Sequence, residues 1–184
     1  SAKVSAIGVT GIGGLIEFLG GGSQGGMVYL SGDIRATGRR KGGQVDATAN
    51  SLTLAGAKID TSGTQAGGSL RIGGGWQGKE IDLANAKKTT VVNSTLTNQG
   101  ANGRAVIWSD EQTNFGATLN ATGSAVEISG KENLTASLGG VKAKTLLLDP
   151  KNIEIKESAS SLLSVLSIVN PNNNAGDEFG GGLT

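Results

Sequence analysis

Short stretches of alternating apolar and polar residues recur along the chain. Each has one or two small residues, a variable residue, and then an apolar residue, any residue and another apolar residue. The pattern occurs as GGMVYL (25–30), GGQVDA (42–47), GGSLRI (67–72), GRAVIW (103–108), GSAVEI (123–128) and AKTLLL (143–148). Alternation with a period of two indicates strands that bury one side and expose the other. The sequence therefore predicts a series of short strands.

A second pattern is interleaved with the first. It occurs as GDIRATG (32–38), AKIDTSG (57–63), STLTNQG (94–100) and ATLNATG (117–123). Ile59 follows Val45 by 14 residues, and Leu119 follows Val106 by 13, so the two patterns keep a nearly constant phase. A unit of roughly 20 residues with two or three strands is typical of one coil of a solenoid. We predict an all-β fold, a parallel β-helix of about six coils; a β-sandwich is the alternative.

Stacked coils place equivalent inward residues in a column. The predicted core ladder consists of the first apolar residue of each repeat: Val28, Val45, Leu70, Val106, Val126 and Leu146. Trp108 takes the second inward position of its repeat and is predicted to fill the core.

One repeat interval is much longer than the others. The 36-residue interval from Leu70 to Val106 contains GGGWQGKEIDLANAKK (73–88), which predicts an excursion loop from one coil. Its Trp76 is a candidate ligand contact, because an exposed indole ring can stack on a sugar. The alternative is that Trp76 ties the loop to the coil.

The composition narrows both fold and chemistry. The chain has 32 Gly, six aromatic residues, two Pro, no Cys and no His. So few aromatics disfavour a sandwich core, and the lack of Cys and His excludes Ser-His and Cys-His nucleophile systems and thiol or imidazole metal sites. The net charge is +1 and the longest basic run is Arg39–Lys41, so no nucleic-acid surface is predicted. Glycines and Glu17 interrupt the apolar segment 4–19, so no membrane span is expected.

An enzymatic alternative is a β-helical polysaccharide lyase or hydrolase, which needs clustered carboxylates. In the predicted register Asp46 and Glu127 both point outward, but no column stacks two acids on adjacent coils. We therefore predict a protein that is not an enzyme and has no cofactor. Sequons at Asn93, Asn120 and Asn133 are candidate glycosylation sites, although chance sequons are expected in a chain rich in Ser, Thr and Asn.

The two ends differ from the middle. We divide the chain into an apolar, Gly-rich segment (1–24), the β-helix (25–155), and a C-terminal segment with a Gly/Asn-rich tail (156–184). A solenoid leaves unpaired strands at its ends, so apolar residues there are candidates for head-to-tail docking of identical subunits. The candidates are Val4, Ile7, Ile12, Leu15, Ile16, Phe18, Leu162, Leu163, Val165, Leu166, Ile168 and Val169.

The stretch 67–155 resembles the repeat region of filamentous-haemagglutinin-like large exoproteins. The most specific pieces are AVIWSDEQTNFGATL (105–119), VEISGKENL (126–134) and TLLLDPKNIEI (145–155). The resemblance implies a right-handed parallel β-helix, export through an outer-membrane partner by two-partner secretion, and a role in adhesion or biofilm. We therefore expect a structural module of a secreted fibre on the surface or in the matrix of a Gram-negative-type bacterium. A monomeric adhesin fragment that binds a glycan or a host surface is the alternative.

Overall fold

The computed structural model describes residues 2–21 and 25–155, which form twelve strands in one sheet with parallel pairing throughout. The strands are β1 (Lys3–Ser5), β2 (Leu15–Gly20), β3 (Met27–Arg35), β4 (Gln44–Ala49), β5 (Ser51–Asp60), β6 (Ser69–Ile72), β7 (Lys88–Thr97), β8 (Arg104–Ile107), β9 (Gln112–Ile128), β10 (Asn133–Ala136), β11 (Val141–Leu147) and β12 (Asn152–Ile155). The one helical element among these residues is a 3-10 turn, Trp76–Gly78. The prediction of an all-β fold with parallel strands is confirmed.

The pairing register divides the strands into three stacks. Stack A contains, in order, 27–30, 51–54, 88–91, 112–115, 133–136 and 152–155. Stack B contains 3–5, 33–35, 58–60, 95–97, 118–120 and 141–143. Stack C contains 15–20, 44–49, 69–72, 104–107, 125–128 and 145–147. β1 and β2, from the segment 1–24, therefore continue stacks B and C.

Long strands bend where they pass from stack A to stack B. Gly32, Gly56 and Asn93 occupy this corner in β3, β5 and β7, with φ of 85°, 71° and 49°. Glycine and asparagine are the residues that adopt this left-handed conformation at least cost. The corner therefore accounts for the glycines of two repeats and for the asparagine of the third.

The inward residues of the second pattern form one column of the sheet. Ile34, Ile59, Leu96 and Leu119 are successive partners in one column of stack B, and all four are buried. Aliphatic side chains from the three stacks meet in a single core cluster, to which Phe115 adds the one buried phenylalanine of the described residues.

The predicted core ladder needs two corrections. Stack C aligns Val45, Leu70, Ala105, Val126 and Leu146, and Ile16 precedes them. Val28 belongs instead to stack A, where it pairs with Leu52. Val106 is displaced by one residue and pairs with Arg71 and Glu127, because the small Ala105 takes the inward place.

Trp108 is also misplaced by the sequence prediction. It is buried but does not belong to the core cluster, and its ring lies against Gly74 and Gly78 of the excursion. Val106 and Trp108 point to the outward side of stack C, which the excursion covers. Because the core covers the inward side, stack C is shielded from water on both sides here.

The loops between stacks B and C form a feature that we call the fin, defined by the segments 6–14, 36–43, 61–68 and 98–103. The first three loops close at their base by backbone hydrogen bonds, 2.8 Å from Gly14 N to Ala6 O, 2.6 Å from Gly43 N to Ala36 O and 2.9 Å from Gly68 N to Thr61 O. The corresponding corners then shorten to 121–124 and finally to residue 144. The fin therefore tapers along the molecule.

Paired glycines at the base of the fin explain the GG that begins several repeats. A Cβ at Gly42 would collide with the carbonyl oxygen of Thr61, and one at Gly13 would collide with that of Ala36. Close approach of two backbones, rather than a positive φ, is the reason for glycine at these positions. No helix among the described residues is long and apolar enough to cross a membrane.

Candidate functional site

The excursion, residues 73–87 between β6 and β7, folds back over the outward side of stack C. Its base is closed by the N–H of Ala86, which donates to the carbonyl oxygen of Gly73 at 2.7 Å. The hydroxyl of Thr48 in β4 donates to the carbonyl oxygen of Ala84 at 2.6 Å. At the other side, the N–H of Gln77 donates to Glu127 Oε2 in β9 at 2.8 Å. The loop thus spans four neighbouring strands and shields the side chains beneath it.

Arg71 lies at the centre of the shielded surface. Its Nε and Nη2 donate to the two oxygens of Asp46 at 2.8 and 2.6 Å, a bidentate pair between adjacent strands. Its Nη1 donates to Glu80 and Asp82 of the excursion at 2.9 and 2.7 Å. The hydrogen bonds to Asp46 raise the pKa of Arg71, and the hydrogen bond from Arg71 lowers the pKa of Asp82. This ion cluster binds the excursion to β4 and β6.

Glu127 is fully buried under the same loop. The pKa of its carboxyl is raised to about 7, chiefly by burial and to a smaller extent by the negative charges of Asp149 and Glu80. Hydrogen bonds from the Gln77 backbone and the Ser129 side chain oppose this shift. Oε2 accepts from Gln77, while Oε1 is buried without a hydrogen-bond partner. A carboxyl in this position is therefore stabilised in its neutral form.

Trp76 is half-buried in the 3-10 turn and is held by the protein itself. The guanidinium carbon of Arg104 lies 5.1 Å from the centroid of its ring, a cation–π geometry, and Arg104 also donates to Glu80 at 3.0 Å. Trp108 Nε1 donates to Asp110 at 3.2 Å, and Asn85 bridges Asp110 and the carbonyl oxygen of Gly78. Arg104 of β8 thus contacts the ring of Trp76, while Trp108, Asp110 and Asn85 fix the adjoining part of the loop; a ligand role for Trp76 stays a prediction.

Asp46 and Glu127 are not spaced as a catalytic pair for glycoside hydrolysis. Asp46 and Glu127 occupy one outward column but are separated by Arg71 and Val106, which is three strand spacings or about 14 Å. Paired catalytic carboxyl groups lie about 5–9.5 Å apart. The expectation that no two acids stack on adjacent strands is wrong, because Glu17 pairs directly with Asp46. Asp46 is, however, already engaged by Arg71 and by the Gln44 amide at 2.6 Å.

No group of three or more His, Cys, Asp or Glu side chains that could hold a metal ion is found in the described part of the chain. The absence of a cofactor and of catalysis stays a prediction. Of the three sequon asparagines, Asn93 and Asn133 are exposed, and Asn120 is partly buried and accepts a hydrogen bond from Thr122 at 3.1 Å.

The predicted docking residues at the amino-terminal end fall into two groups. Val4, Ile7, Ile12 and Leu15 are exposed by 40–58 %, whereas Ile16 is buried in the core and Phe18 packs against it. Two more apolar residues at this end, Val9 and Leu19, are exposed by 79 % and 60 % and were not predicted. The candidates at 162–169 lie outside the described residues.

The sequence prediction missed the ion cluster and the buried carboxyl. Asp46, Arg71 and Glu127 hold the same position in their repeats, and the alternation predicts only that this position points outward. A signal was available, since the long excursion follows Arg71 directly and brings Glu80 and Asp82 with it. Comparison of the chain with protein-family models and with curated proteins finds no match in either set.

Proposed function

We propose that this protein is a structural module of a secreted bacterial surface fibre, used in adhesion or in a biofilm matrix. In this proposal the three stacks wrap as a right-handed parallel β-helix of about six coils, and modules stack end to end. The resemblance of residues 67–155 to haemagglutinin-like exoproteins supports the handedness, the export through an outer-membrane partner and the location on the cell surface. The module has no catalytic role and needs no cofactor.

The unpaired strand edges are the observation that carries the proposal. Within the described residues, β1, β2, β11 and β12 each have a partner on one side only. An open parallel edge presents a row of N–H and C=O groups that pair readily with another strand. Apolar side chains are exposed beside the first edge, where burial would stabilise an association.

Negative-stain electron microscopy across a concentration series tests this function. We expect uniform filaments whose length grows with concentration. The variant Val4→Asp places a charge at the open edge and should abolish them. Ile81→Asp makes the same kind of change at a fully exposed residue of the excursion, outside the strands that form the open edges, and should leave filaments intact. Short single rods at every concentration would refute the fibre.

A monomeric glycan-binding adhesin is the second candidate, and Trp76 is the residue that favours it. The ring keeps part of its surface exposed, but Arg104 already covers one face. If only single rods form, screening for glycan binding, with Trp76→Ala as the first variant, becomes the decisive experiment.

A further inference from the structure

We propose that two copies join through one composite coil, in which β12 of one copy and β1 with β2 of the next complete the same turn. This inference rests on the proposed end-to-end function and specifies the joint. In this arrangement, each open strand edge at one end of a copy pairs with a strand of the same stack at the facing end of the next copy.

The two ends of the molecule project on different stacks. At the amino-terminal end, stacks B and C begin with 3–5 and 15–20, whereas stack A begins one level later with 27–30. At the other end of the described residues, the last strand of stack A is 152–155, one level beyond 141–143 and 145–147, the last described strands of stacks B and C. If a level is defined by the strands that bend from stack A into stack B, the described residues begin with a level that lacks stack A and end with a level that has stack A alone.

Bringing the ends together pairs every open edge with a strand of matching direction. β12 of the first copy receives 27–30 of the second, while 141–143 and 145–147 receive β1 and β2. All the neighbouring pairs within the molecule are parallel, so the joint continues the ladder without a reversal.

In stacks B and C, the inward side chains at this joint are apolar on both sides. Following the register, Val4 falls in the column of Val141, and Ile16 falls in the column of Leu146. Val4 is 40 % exposed, whereas Leu70 in the middle of stack C is 0 % exposed. Val141 and Leu146 are only partly buried. Stacking would bring these positions to the burial of the interior.

A second copy fits this edge better than an unrelated partner, because an occupant must supply three parallel strands with the same spacing and a one-strand step. The fin presents no obstacle. Its corner at the last level is the single residue 144, so the loop 6–14 of the next copy meets no loop beneath it.

Disulfide cross-linking tests the joint, since the chain contains no cysteine. Ser5 lies in the outward column that runs through Arg35 and Asn120 to Lys142, and both end residues are exposed. The composite coil places Ser5 of one copy one strand spacing, about 4.8 Å, from Lys142 of the other, within disulfide range. Within one molecule the two residues are about 24 Å apart, so no internal disulfide can form.

The double variant Ser5→Cys/Lys142→Cys should give a ladder of covalent dimers, trimers and longer species on mild oxidation of the full chain. Ser5→Cys/Lys131→Cys is the matched control, because Lys131 is exposed at the corner before β10 on another stack. A ladder for the first variant alone, lost on adding Val4→Asp, would support the composite coil. Filaments in the microscope without this ladder would overturn the joint and leave the proposed function standing. Neither filaments nor a ladder would overturn both.

Discussion

Replacing Glu127 with glutamine should remove the part of the pH dependence of stability that comes from ionisation of this carboxyl. The glutamine amide has nearly the same shape, and its oxygen can accept the hydrogen bond that Gln77 N–H donates to Oε2. What changes is that the side chain can no longer ionise. The comparison therefore isolates the free energy of burying a negative charge under the excursion.

The magnitude follows from the pKa of Glu127, which burial raises from 4.5 to about 7. Because the folded carboxyl has the higher pKa, the folded state holds its proton more tightly than the unfolded state does. The associated stability is fully present below pH 4.5 and is lost as pH rises toward 7. Each pKa unit corresponds to about 1.4 kcal/mol, so the free energy of unfolding of the native protein falls by up to about 3 kcal/mol across this pH window.

Urea unfolding at pH 5 and pH 8 measures this difference. Between pH 5 and pH 8, we expect the free energy of unfolding of Glu127→Gln to rise relative to that of the native chain by about 2–3 kcal/mol. Glu111→Gln, at an exposed residue, makes the same charge change and should follow the native profile. Parallel profiles for Glu127→Gln and the native chain would show that the buried carboxyl does not govern the pH dependence.

Two further pairs of substitutions test the ion cluster and the fin. Arg71→Met should cost about 3–5 kcal/mol in urea unfolding, because it leaves the buried Asp46 carboxylate without its counter-ion, and adding Asp46→Asn should recover part of the loss; a loss below about 1 kcal/mol would contradict this reasoning. Gly42→Ala should lower the free energy of unfolding by about 1–3 kcal/mol through collision with Thr61, whereas Gly11→Ala, with open space around its Cβ position, should stay within about 0.5 kcal/mol. Equal effects of the two alanines, read from thermal melting, would refute close approach as the reason for glycine in the fin.

The sequence predicted the parallel strands and the stack B column because each inward residue there is a large aliphatic flanked by polar residues. It failed at GRAVIW (103–108), where Ala105, Val106, Ile107 and Trp108 are all apolar and the period of two disappears. Such a run indicates a strand covered on both sides but gives no register. Only pairing with β6 and β9 shows that Ala105 is the inward residue.

The site was less predictable than the fold. One partner of Arg71, Asp46, lies in β4, and the other two, Glu80 and Asp82, lie nine and eleven positions downstream in the excursion. Only the backbone path of residues 73–87 brings these partners together. Alternation identifies Asp46 and Glu127 as outward residues, which ordinarily means contact with water. The excursion folds over both residues, so they are buried although they point outward. The alternation of apolar and polar residues within each strand does not indicate the position of that loop.

The taper of the fin gives any end-to-end assembly a visible direction. The corner shortens from 6–14 at the first level to residue 144 at the last, and then returns to full length where the next copy begins. Six strand spacings separate successive copies, so one edge of a filament would carry a saw-tooth with a period of about 29 Å. The slope of the teeth would distinguish the two ends of a filament in an averaged image, and with them the end at which new copies are added.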